Sequence, residues 1–77
     1  MNRHEAKLAL SEGKKITHSY FLDGEFIYLE CVNPNTRPIK YEIVFEDGIT
    51  QEEDQFWELR KHSKWDNGWE IFNYEYR

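Results

Sequence analysis

From Ile39 to Phe45 the chain alternates, with Ile39, Tyr41, Ile43 and Phe45 on one side and Lys40, Glu42 and Val44 on the other. A period of two predicts a half-buried strand. Two earlier runs, Ile16 to Phe21 and Glu25 to Val32, flank Asp23-Gly24, a dipeptide suited to the tight turn of a hairpin. Ile16, His18 and Tyr20 share one side of the first run. In the second, Phe26, Tyr28 and Val32 oppose Ile27, Leu29 and Cys31. Apolar groups on both sides predict a central strand, covered by a helix on one face and by loops or a partner on the other.

Helical spacing occurs twice. Ala6, Ala9 and Leu10 mark one face of a short helix ending near Gly13, with Asn2 and Glu5 spaced as a capping pair and Leu8 off the face. Thr50 and Glu53 repeat the capping-box spacing. Glu52, Glu53 and Asp54 then fall in a first turn and Arg60, Lys61 and His62 in a last one, opposing the helix dipole at both ends. A second helix is therefore expected at about residues 51–62, entered through an Asp47-Gly48 turn. At roughly 100° per residue, Phe56, Trp57 and Leu59 span one face, with Arg60 between Phe56 and Trp57. Such an arginine packs its stem past the core, pairs with an acid, or receives an anionic or planar ligand. Trp65-Asp66-Asn67-Gly68-Trp69 reads as a turn, and Trp69 to Phe72 as a closing strand. The stretch from Asn33 to Pro38, with two prolines, reads as an exposed loop with Arg37 at its tip. Helix, strand, strand, strand, helix, strand predicts a compact single α+β domain with a three- to four-stranded, largely antiparallel sheet.

Composition narrows the chemistry. Seventy-seven residues make one domain near the lower size for folding without staples, and three Trp, five Tyr and five Phe supply large side chains for its core. The single cysteine, Cys31, forms no internal disulfide, which fits a reducing cytoplasm. Set in an apolar strand, it is expected to be buried. No apolar run approaches the ~20 residues of a membrane span, and the opening MNRHEAKLALSEGKK lacks the apolar core of a signal peptide. A soluble cytoplasmic protein is expected, with no membrane partner. The net charge of −5 argues against direct nucleic-acid binding and favours partners that are basic.

No nucleophile stands in a setting that pairs it with a base, and there is no phosphate-cradling glycine loop, HExxH or CxxC. His4, His18, His62 and Cys31 lack ligand spacing. No metal, cofactor or catalytic residue is expected, and two modes of binding remain. In one, Glu46, Asp47, Glu52, Glu53, Asp54 and Glu58, with Trp65 as an aromatic anchor, contact a basic protein surface. In the other, Trp57, Trp65 or Tyr20 stacks on the base of a small nucleotide-type ligand while Arg60, Lys15 or His18 holds phosphate.

The stretches HEAKLALSEGKKITHSYFLDGEFIYL and WDNGWEIF, with an EDG turn and an FW pair between them, resemble small phage and prophage accessory proteins. Those proteins open on Glu-Ala and Gly-Lys-Lys before Ile or Val, and end in W-x-x-G-W/Y-x-I/F. The likeness covers both ends of the chain and omits the proline loop. The opening is shared more distantly with the Thoeris anti-defence family, whose members sequester cyclic nucleotide signals in oligomers. Those relatives usually carry Arg and Trp where this chain has His18 and Tyr20 or Phe21. The resemblance implies a phage-encoded inhibitor of a host defence factor, acting in the host cytoplasm. Nucleotide sequestration by a homo-oligomer is the alternative it implies.

Overall fold

A computed structural model describes residues 1–32, 35, 37 and 39–73. Its elements follow one another as α1 (Arg3–Ser11), β1 (Ile16–His18), β2 (Ile27–Cys31), β3 (Tyr41–Phe45), β4 (Thr50–Glu52), α2 (Glu53–Glu58), a 3-10 turn (Ser63–Trp65) and β5 (Trp69–Ile71). The α+β class is as the pattern predicts. The sheet has five antiparallel strands in the order β4-β3-β2-β1-β5, and β2 is its middle strand.

Local chemistry accounts for α1. Asn2 Oδ1 accepts from the Glu5 amide and Glu5 Oε1 accepts from the Asn2 amide, both at 2.8 Å, so the cap satisfies two amides that the helix leaves over. The helix ends at Ser11, and just past its C-cap Glu12 stands Gly13, whose φ of +84° lies where glycine is favoured. Ala6, Ala9 and Leu10 are buried and Leu8 is exposed, matching the spacing.

The second helix departs from expectation. It spans only Glu53–Glu58, and Thr50 caps nothing. Gly48 N–H donates to the Phe45 carbonyl at 2.8 Å and Phe45 N–H to the Ile49 carbonyl at 2.8 Å, which closes a hairpin. Thr50, Gln51 and Glu52 then pair with Val44, Ile43 and Glu42. Ladder pairing claims the residues that a helix would have used for its cap, and adds the strand that the sequence pattern omits. Leu59 falls beyond the shortened helix and is exposed.

The first hairpin is also shorter than its pattern. β1 ends at His18, where the next amide, on Ser19, donates to the Gly68 carbonyl at 3.1 Å and the Phe21 amide turns back to His18. Tyr20 is accordingly exposed rather than aligned with Ile16 and His18. Burial declines along β2 from Ile27 to Cys31, which is exposed. Cys31 faces the side that the helices cover but sits past their reach, so the burial expected of it does not occur. The proline loop and the residues after Asn73 lie largely or wholly outside the described residues; Arg37 is exposed.

One face of the sheet presents Ile16, Ile27, Ile43 and Trp69, and Ala6, Ala9, Leu10, Phe56 and Trp57 of the helices close over it. This is the core. α1 covers β1, β2 and β5, while α2 covers β3 and β4.

Candidate functional site

The predicted acids do not act as one surface. Glu52, Glu53 and Asp54 line a groove of about 430 Å³ together with Ile39, Lys40 and Tyr41. β4 runs directly into α2 with no loop, so the last strand acid and the first helix acids are consecutive, and the hairpin holds them opposite the start of β3. None of the three carboxylates is in an ion pair among the described residues. A groove at the small end of the ligand range, walled by carboxylates, fits the head of a lysine or arginine better than an apolar molecule. Glu46 and Asp47 lie apart in the β3–β4 turn, where Asp47 accepts from the Ile49 amide at 3.0 Å. Glu58 is engaged by Lys61 at 2.7 Å.

Four of the six residues considered for a nucleotide do converge. The His18 ring centre lies 5.2 Å from that of Tyr20 and 4.5 Å from those of Trp65 and Trp69. The Arg60 guanidinium lies 3.9 Å from the Phe56 ring centre and 5.2 Å from that of Trp65. Its Nη1 donates to the Phe56 carbonyl at 3.3 Å, while its Nε is buried without a partner. Burial pulls this guanidinium below its ordinary pKa, against the charge of Glu25. The arginine therefore packs its stem along the aromatic face, the first of the three roles open to it.

His18 is 3% exposed. Its Nδ1 accepts from the Tyr20 amide at 3.0 Å, so Nε2 carries the proton and donates to the Asn67 carbonyl at 2.7 Å. Burial lowers its pKa; the bond to Asn67 opposes this, and the charges of Arg60 and the terminal ammonium add to it. With both nitrogens engaged, the ring has no donor left for phosphate. Gly68 makes this packing possible, because a Cβ there would stand 3.0 Å from His18 Nε2.

The other two candidates lie elsewhere. Trp57 is in the core, edge-on to Phe56 at 4.9 Å and to Trp69 at 5.3 Å. Lys15 lies on the opposite face of the sheet from His18, over the rings of Phe26 at 4.8 Å and Tyr28 at 5.9 Å. Lys64 was not anticipated, yet its ammonium stands 5.5 Å from the Tyr20 ring centre and 5.7 Å from that of Trp65. Lys40 and Tyr41 were legible as strand residues, but nothing local shows that their end of β3 meets α2. Among the described residues no group of three or more His, Cys, Asp or Glu could hold a metal ion, and no helix is long and apolar enough to cross a membrane.

Comparison with family models, with curated proteins and with solved structures finds no match to this chain.

Proposed function

We propose that this chain is a non-enzymatic binding domain that occupies a basic surface of a partner protein, using the groove of Glu52, Glu53 and Asp54. The observation that carries this is the convergence of three carboxylates, none ion-paired among the described residues, on one concave surface. Unpaired acids around a recess steer a basic side chain inward and exclude acidic partners. Joined to the resemblance described above, the reading becomes a phage-type inhibitor that blocks a host factor in the host cytoplasm. The test is affinity capture from bacterial lysate with the wild type and with Glu52→Gln/Glu53→Gln/Asp54→Asn, compared by mass spectrometry. A protein held by the wild type and lost by the variant supports the reading. Equal retention by both refutes it.

A second reading draws on the aromatic patch. Exposed Tyr20 and half-buried Trp65 lie 5.8 Å apart with Lys64 above both, an arrangement suited to a stacked base beside an anionic group. In this reading Lys64 takes the phosphate role. A nucleotide that raises the melting temperature of the wild type but not of Lys64→Gln supports it.

A further inference from the structure

His18 ends β1 with its ring buried, and the ring holds two loops at once. Nδ1 accepts from the Tyr20 amide at 3.0 Å in the loop toward β2, and Nε2 donates to the Asn67 carbonyl at 2.7 Å in the loop before β5. The same two loops carry the aromatic patch. Tyr20 comes from the first and Trp65 stands just before Asn67 in the second, their ring centres 5.8 Å apart. A proton acts differently on the two bonds. It is taken up at Nδ1, the one basic lone pair of the neutral ring, and turns that nitrogen from acceptor to donor. Nδ1 then faces the Tyr20 amide, also a donor, and no hydrogen bond forms between them. The bond from Nε2 to Asn67 becomes charge-assisted and strengthens. The imidazolium therefore stays anchored on Asn67 and sheds Tyr20.

We propose that His18 is a proton-operated latch: neutral, it holds Tyr20 beside Trp65, and protonated, it releases the Tyr20 peptide while the rest of the domain stays folded. The inference supplies a regulation for the site of the second reading above, and rests on that reading only for its consequence, the loss of the stacking site in acid. The surroundings set its direction. Arg60 beyond α2 and the terminal ammonium ahead of α1 bring positive charge to the ring, and Lys64 of the 3-10 turn stands over Tyr20 and Trp65. The acids nearby are otherwise engaged. Asp66 pairs with Arg3 at 2.9 Å, Glu25 accepts from the Leu22 amide at 2.8 Å, and His18 is in no ion pair among the described residues. Burial holds the ring's pKa below 6.5; the bond to Asn67 opposes this, and the charges of Arg60 and the terminal ammonium add to it. The latch is thus closed at neutral pH and opens in acid. Release stays local because the neighbours keep their own bonds. The Ser19 amide still donates to Gly68 and the Phe21 amide to the His18 carbonyl, while Tyr20, already 62% exposed, has little burial to lose.

The experiment follows the isotope-labelled full chain by NMR from about pH 7.5 to about pH 4 without ligand, reading the His18 ring beside the backbone amides. The Tyr20 amide should shift with the midpoint of the His18 ring, and its protection from hydrogen exchange should fall about tenfold, the size of one lost hydrogen bond. Ser19 and Phe72, whose amides bond the Gly68 and Lys15 carbonyls, should keep theirs. The Lys64 amide is read separately, because exposed His62 accepts from it at 3.2 Å. His18→Asn offers the Tyr20 amide a carbonyl oxygen that takes up no proton, so its Tyr20 signal should not depend on pH; if that variant fails to fold, the wild-type spectra decide alone. A Tyr20 amide that ignores the His18 titration, a ring still neutral at about pH 4, or protection lost at Ser19 and Phe72 together with Tyr20 overturns the proposal. Thermal melts with adenosine monophosphate, at about pH 7 and below the His18 midpoint, test the consequence. A rise in melting temperature that acid abolishes in the wild type and not in His18→Asn supports it, and a rise that the wild type keeps after Tyr20 is released overturns it. No rise at neutral pH removes the second reading, and the ligand-free spectra still decide the latch.

Discussion

Gly68 has φ +97°, and a Cβ built there would lie 2.9 Å from Ser19 Oγ, 3.0 Å from His18 Nε2 and 3.2 Å from His18 Cε1. Gly68→Ala therefore meets two separate penalties. An L-residue in the left-handed region costs about 1–2 kcal/mol. The contact penalty arises because the His18 ring has nowhere to move: Asn67 and Tyr20 hold its two nitrogens, and the rings of Trp65 and Trp69 each lie 4.5 Å away. Displacing it breaks a buried hydrogen bond, worth roughly 1–3 kcal/mol. The expected loss is about 2–5 kcal/mol out of the roughly 4–12 kcal/mol typical of a chain this long. Gly48 is the control. Its φ is +90° but nothing lies within 4 Å of its Cβ position, so Gly48→Ala bears the backbone penalty alone. Urea unfolding followed by tryptophan emission, with the m-values compared, measures both variants. The difference between them is the contact term. Equal losses in the two variants, or a loss below about 1 kcal/mol for Gly68→Ala, would refute the account of His18 as a ring locked by its surroundings.

Asn2→Ala removes the cap of α1 and should cost about 1 kcal/mol, read by the same urea titration. The folded-state pKa of His18 lies below its ordinary value of 6.5, so below that pH the unfolded chain binds more protons than the folded one. Stability should be full above about pH 6.5 and fall as the pH drops toward the folded-state pKa, and His18→Gln should flatten that slope in melts recorded from pH 7 to pH 5, roughly the window in which histidine titrates. Glu30, Glu42 and Glu52 stand opposite one another in a row across β2, β3 and β4; Glu42→Gln removes the central charge and at low salt should stabilise the protein by about 0.5–1 kcal/mol, an advantage that shrinks in about 1 M salt.

The features that follow from local sequence pattern alone rest on neighbours in the chain. Asn2 reaches Glu5 and closes a helix start within four residues, so its spacing is enough. Thr50 and Glu53 have the same spacing and do not form a box, because the Asp47-Gly48 turn brings Thr50 back against Val44. A local preference worth about 1 kcal/mol yields to a hairpin ladder that satisfies several backbone groups at once. The candidate sites divide in the same way. The acids Glu52, Glu53 and Asp54 were legible as a run, and their meeting with Lys40 and Tyr41 was not. Arg60 was legible on an aromatic face, while its second ring, Trp65, comes from beyond the helix and is brought near by the 3-10 turn.

The amino-acid sequence by itself determined the α+β class, the capped first helix, the apolar faces of the strands and the positive-φ turns. Each depends on side-chain period or on backbone freedom within a few residues. The tertiary structure alone decided the fifth strand, the burial of Trp57, the exposure of Cys31 and the row of Glu30, Glu42 and Glu52. Those depend on pairing register and on which helix lies over which strand. A shift of one residue in register turns every side chain to the other face, and no local pattern specifies which partner a strand will meet.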